Sequence, residues 1–186
     1  ILRCLVGSEM CIRDRGGEIK KKMENFNAFS LSYPVVLLSD MDADDCAPMA
    51  KDNLTKGMSS QNSGFIINIA VDEAEAWLFA DIKGFARYLG VAEEHMPHPS
   101  EQKFGGPKKR MEMEIPLKAS YFLTHKVIVE SNKKDLREQI HAPGKACKGP
   151  EYNPALLPFI KNDWNIEEAR KNSYSLDGMI KRVSAL

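Results

Sequence analysis

The sequence predicts an α/β fold: a mostly parallel sheet with flanking helices and a helical carboxy-terminal part. Two apolar runs carry that expectation. Val35-Val36-Leu37-Leu38 is aliphatic, bounded by Pro34 and too short for a helix, so it reads as a buried strand. Phe65-Ile66-Ile67-Asn68-Ile69-Ala70-Val71 is a second such run, and a helical pattern follows each of them. Continuous apolar character, as opposed to alternation, marks strands covered on both faces, the habit of parallel sheets.

The elements follow in order. Residues 1–15 (Ile1-Leu2-Arg3-Cys4-Leu5-Val6-Gly7-Ser8-Glu9-Met10-Cys11-Ile12-Arg13-Asp14-Arg15) resemble sequencing-adapter DNA read through in frame, with no signal-peptide pattern. They are set aside, and residues 16–186 are expected to form one domain that lacks its natural amino terminus. Glu18 to Phe26 is a Lys-rich helix tail. A strand follows at Val35 to Ser39, then a helix from about Asp45 to Lys56, with Pro48 in its first turn and Gly57 as its stop. Gln61 to Gly64 is a loop before the second strand. Asp72 to Asp81 is helical in period, with Ala74, Trp77 and Leu78 on one face, and Asp81 is placed to cap a further helix to Leu89. Gly90 to Pro116 reads as a long loop, Leu117 to Ile140 as helical with Val127 to Val129 open to a strand, and Ala142 to Pro154 as a second loop. Pro154 to Leu186 reads as short helices, the last capped by Ser175.

Composition limits the function classes. Lys plus Arg is 26 and Asp plus Glu is 26, so no global field draws the chain to nucleic acid or to a membrane surface, and any such contact needs a local patch. No apolar run approaches bilayer-spanning length. Four cysteines without a C-x-x-C pair suggest neither a zinc ribbon nor a disulfide framework, and the expectation is a soluble protein of a reducing cytoplasm.

The chemistry concentrates where the first strand ends, in Ser39-Asp40-Met41-Asp42-Ala43-Asp44-Asp45-Cys46. Ligands of parallel sheets gather beyond the carboxyl ends of the strands. Aspartates crowded there repel one another unless a cation sits among them, and hard divalent ions prefer such oxygen ligands. Asp40 and Asp42 share one strand face if the backbone stays extended. Asp44 is a further candidate ligand, and Asp45 and Glu73 are candidates to orient ligands. The bland alternative makes Asp44 or Asp45 the cap of the next helix. A calcium loop does not fit: counted from Asp40, its glycine position holds Asp45 and its final glutamate position holds Lys51.

Three passages together resemble a bacterial Toprim-like family, domain-of-unknown-function family 4276. They are Leu38-Ser39-Asp40-Met41-Asp42-Ala43-Asp44-Asp45-Cys46, the passage Ala70-Val71-Asp72-Glu73-Ala74-Glu75-Ala76-Trp77-Leu78-Phe79-Ala80-Asp81, and Gly149-Pro150-Glu151-Tyr152-Asn153. Phe159 to Trp164 and Ser173-Tyr174-Ser175-Leu176 match in style. The resemblance spans about Tyr33 to the end. It implies a Rossmann-like sheet that holds Mg²⁺ or Mn²⁺ through Asp40 and Asp42, cleaves a nucleic-acid phosphodiester, and works beside an AAA-type ATPase in bacterial defence. The family's further glutamate is expected on an earlier strand, which this chain does not supply. Glu75 is the remaining acidic candidate for catalysis.

Lys108, Lys109 and Arg110 follow Gly105-Gly106-Pro107 and form the best basic patch for a phosphate backbone, with Lys145 and Lys148 a second. Trp77 reads as core. Glu75 is open between a catalytic role and a helix-surface charge or core hydrogen bond. His95, His98, His125 and His141 lack ligand spacing, and Cys46 reads as a small buried residue. Two other functions stay open: a haloacid-dehalogenase-like phosphohydrolase with Asp40 as nucleophile and Asp42 as acid/base, and a non-catalytic partner of an ATPase.

Overall fold

The computed structural model describes residues 3–6, 18–41, 46–104, 107–144 and 148–186. Chain contacts group into two compact units, Ile1–Ala74 with Ser175–Leu186, and Glu75–Tyr174. The architecture is mixed α/β, with a three-stranded sheet and a separate two-stranded one.

The first unit opens with β1 (Arg3–Val6), α1 (Glu18–Phe29), β2 (Val35–Asp40), α2 (Ala47–Thr55) and β3 (Phe65–Ala70). β2 and β3 pair in parallel, Val35 opposite Phe65 through Asp40 opposite Ala70, as the apolar runs predict. β1 pairs antiparallel along the other edge of β2, Arg3 opposite Leu38. The segment set aside on sequence grounds therefore adds a strand. Ladder bonds are made by the backbone, and Cys4-Leu5-Val6 suits an extended conformation.

One face of the β2–β3 pair carries Val35, Leu37, Phe65 and Ile67, packed against Ile19, Met23 and Phe26, with Leu54 and Met58 at the margin. The α1 residues recur at helical spacing, so a single stripe of that helix covers the sheet. The opposite face carries Val36, Leu38, Asp40, Ile66, Asn68 and Ala70. The final helix, α9, lies against it through a side-chain bond described below. α2 has Pro48 in its first turn, and its cap position falls on Cys46, whose side chain makes no capping bond. Asp42, Asp44 and Asp45 lie outside the described residues.

The second unit continues with α3 (Ala74–Phe79), α4 (Ile82–Leu89), β4 (His98–Lys103), β5 (Lys109–Glu114), α5 (Ala119–Phe122), α6 (Lys134–Ile140), α7 (Tyr152–Pro158), α8 (Ile166–Asn172) and α9 (Tyr174–Val183). Ala74 and the greater part of α9 belong to the first unit. α3 is buried from Glu75 through Phe79, so the single apolar face expected for it is too narrow a description. Asp81 caps α4 as predicted, accepting the Gly84 N–H at 3.1 Å. Gly90 closes that helix in the left-handed region, where a side chain would be strained. Phe79, Phe85 and Phe159 form the aromatic core, with centroids 5.3 Å apart for the first two and 4.8 Å for the last two.

Two expectations need correction and one open alternative is decided. The long loop from Gly90 contains an antiparallel hairpin, His98 opposite Glu114 through Lys103 opposite Lys109. Its strands are mostly polar, so no apolar alternation announces them. Val127 to Val129, left open to a strand within a stretch read as helical, is helical, in a π turn (Leu123–Val127) running into a 3₁₀ turn (Ile128–Glu130). Ser175 does not cap α9, which already begins at Tyr174. Among the described residues no helix is long and apolar enough to cross a membrane.

Candidate functional site

Asp40 is the last residue of β2 and is half-buried at the rim of the sheet. Its carboxylate Oδ1 accepts the backbone N–H of Ala74 at 2.8 Å, and the chain leaves the sheet with Met41 N–H donating to the Ala70 carbonyl at 3.0 Å. The strand therefore delivers this carboxylate to the β3–α3 corner, where a backbone donor fixes one of its oxygens. That corner carries backbone strain. Asp72 has φ of 64°, the left-handed region that a non-glycine residue enters at a cost of about 1–2 kcal/mol. Glu73, in the same corner, is half-buried.

The same sheet face holds a pair that sequence reasoning missed. Asn68, opposite Leu38 in the ladder, is 1% exposed, and its Oδ1 accepts from Arg182 Nε at 2.9 Å and from Arg182 Nη2. Its Nδ2 has no hydrogen-bond partner among the described residues. Asn68 therefore pins a guanidinium to the face on which Asp40 ends β2. The signal was present, since Asn68 is the one polar residue in an otherwise apolar run. Its partner lies 114 residues away, a distance no local pattern spans.

Glu75 belongs to the second unit and is not the helix-surface charge weighed from sequence. It is 7% exposed, and its Oε1 accepts from Lys148 Nζ at 2.8 Å and from the Tyr152 hydroxyl at 3.1 Å. The Lys148 ammonium also sits 4.8 Å from the Tyr152 ring centroid. Burying a carboxylate is tolerable only with such compensation. The lysine reaches it because the loop before α7 is held against the end of α6, through Gly149 N–H to the Ile140 carbonyl and Glu151 N–H to the Gln139 carbonyl, each at 3.1 Å. Gly149 is required there, because an added Cβ would come within 2.5 Å of both carbonyl oxygens.

The remaining predicted residues scatter. Lys108 is exposed beside the hairpin tip, while Lys109 and Arg110 open β5 and so lie on a strand, not in a loop. Lys109 pairs with Glu101 at 3.3 Å. Lys145 lies outside the described residues. Trp77 is core, 3% exposed, and Cys46 is half-buried with a free thiol. His125 and His141 do approach, with ring centroids 5.8 Å apart, but His141 Nδ1 lies 2.9 Å from the Thr124 carbonyl and the Tyr121 ring lies 4.1 Å from His125. Among the described residues no three His, Cys, Asp or Glu side chains are grouped to hold a metal ion. Comparison with protein-family models, with curated proteins and with solved structures returns no match to this chain.

Proposed function

We propose that the chain is a Toprim-like, metal-dependent hydrolase of nucleic-acid phosphodiesters, its ion held by Asp40 and Asp42. The observation that carries this reading is Asp40 itself: a half-buried carboxylate at the carboxyl end of a covered parallel strand, the rim at which such sheets bind ligands. Its donor chemistry fits Mg²⁺ or Mn²⁺, hard ions that take one or two carboxylates and keep several waters. When bound, the ion supplies Lewis-acid stabilisation of the charge that develops on phosphate oxygens.

The chain's own residues do the rest. The Ala74 N–H orients Asp40. Arg182, fixed by Asn68 on the same sheet face, brings positive charge toward a phosphate approaching the rim. Glu75 has its charge compensated by Lys148, and this reading gives it the work of holding α3 in place.

Calorimetric titration with Mn²⁺, paired with nicking of supercoiled plasmid, tests the proposal. Asp40→Asn keeps an acceptor for Ala74 N–H while removing the charge. Loss of an outer-shell partner already weakens metal binding about tenfold or more, so this ligand substitution should do at least as much and abolish nicking. No ion uptake by the unsubstituted chain, or uptake unchanged in the variant, overturns it. Turnover of a phosphomonoester without nicking favours the phosphohydrolase instead.

A further inference from the structure

The β4–β5 hairpin has a feature that the metal site does not use. Between Lys103 and Arg110 the chain carries four cations and no acidic residue. Lys103 and Lys109 stand directly opposite each other in the last rung of the ladder. Like charges at that position destabilise a sheet pair, and Glu101, 3.3 Å from Lys109, offsets only part of the repulsion. The rung leaves Lys103 and Lys109 exposed, with positive charge that a bound anion would offset.

The other partner of the hairpin is aromatic. The Arg110 guanidinium lies 4.7 Å from the centroid of the Tyr174 ring, and Phe104 stacks on Tyr174 with centroids 5.7 Å apart and planes inclined by 29°. Arg110 is exposed, Tyr174 is 40% exposed and Phe104 is half-buried, so these planar groups reach solvent at the end of the hairpin that carries the lysines. Phosphates alone would need only the charges. Flat faces of two rings and a guanidinium are what an unpaired nucleobase stacks upon, and a base in a duplex has no face to offer. Strand alternation puts Lys103 and Lys109 on the hairpin face opposite Arg110. The hairpin is only about 5 Å across at the backbone, so long lysine side chains can follow a backbone that passes its edge.

We infer that this hairpin, with Tyr174, is a binding surface for single-stranded nucleic acid, Lys103, Lys108 and Lys109 holding phosphates while Phe104, Tyr174 and Arg110 stack bases. The inference deepens the nuclease reading by naming its substrate as an unpaired strand, and it is tested by binding, which needs no metal.

Fluorescence anisotropy of the full 186-residue chain in EDTA, with labelled dT20, U20 and a 20-base-pair duplex, is the experiment. Both single strands should bind more tightly than the duplex, and the ratio of dT20 to U20 tells DNA from RNA. Arg110→Lys keeps the charge and the fold but loses the plane. It should weaken single-strand binding about five- to a hundredfold, the loss of one stacked base, and leave duplex binding unchanged. Lys103→Gln should instead flatten the salt dependence, by about 0.7 in log–log slope. Equal affinity for duplex and single strand, no effect of Arg110→Lys, or equal binding of anionic lipid vesicles overturns the inference. Plasmid nicking in Mn²⁺, read separately, keeps the two proposals apart: strand binding without cleavage defeats only the nuclease reading.

Discussion

Replacing Lys148 by Met should expose the cost of a buried carboxylate. The substitution keeps most of the aliphatic stem, removes the ammonium donor, and leaves Glu75 Oε1 accepting from the Tyr152 hydroxyl. Removing one member of a fully buried ion pair costs about 3–5 kcal/mol. Here the side chain of Glu75 is 8% exposed but that of Lys148 is 27% exposed, so water reaches the vacated side and the cost is lower. Loss of the ammonium from the Tyr152 ring adds about 0.5–1 kcal/mol. A net destabilisation of about 2 kcal/mol follows, or about 4–8 °C in Tm for a chain of this length. Urea denaturation of Lys148→Met, Glu75→Gln and the double variant completes a cycle. The double variant should be more stable than the sum of the single effects requires, with a coupling of about 1–2 kcal/mol. A single-variant cost below about 0.5 kcal/mol, or strict additivity, would refute the claim that this pair compensates a buried charge.

Two further outcomes follow from the second unit. Asp81→Ala removes the acceptor for Gly84 N–H at 3.1 Å and for Asn165 N–H at 2.8 Å, and should cost about 2 kcal/mol in denaturant unfolding, more than an ordinary helix cap. Tyr88 donates its hydroxyl to the Ala155 carbonyl, and burial, with the nearby Asp163 charge, raises its phenol above the ordinary 10.0. A raised folded-state value favours folding below the unfolded value and withdraws that support as pH climbs through the folded one. Thermal melts across alkaline pH should therefore fall more steeply for the unsubstituted chain than for Tyr88→Phe. Parallel curves would contradict the assignment.

Parts of the fold that were legible in the sequence are those written in local chemistry. β2 and β3 are continuous apolar runs, and α4 has an acidic cap at one end and a glycine at the other. The hairpin was not legible because its strands, His98-Pro99-Ser100-Glu101-Gln102-Lys103 and Lys109-Arg110-Met111-Glu112-Met113-Glu114, are rich in charge and flanked by Pro and Gly. Such a segment reads as loop, and only the pairing of the two strands makes it a sheet. β1 was hidden by its resemblance to foreign sequence, a property on which a backbone ladder does not depend.

Among the candidate residues, the sequence located the strand end at Asp40 but not the long-range side-chain pairs within each unit. The Lys148–Glu75 pair spans 73 residues and the Arg182–Asn68 pair spans 114, and neither separation leaves a periodic trace. Asn68 is the more telling of the two. An asparagine inside a covered strand is less favourable than a leucine unless its bonds are all made, and a buried Nδ2 without a partner, as here among the described residues, costs about 1–3 kcal/mol. What this side chain contributes among the described residues is the position of Arg182. Its Oδ1 takes two donors of one guanidinium and holds a cation over the face on which Asp40 closes the strand. A cluster of carboxylates alone would repel a phosphate. On the proposed hydrolase reading, Arg182 on the same face would offset that repulsion, a contribution the aspartate motif could not reveal.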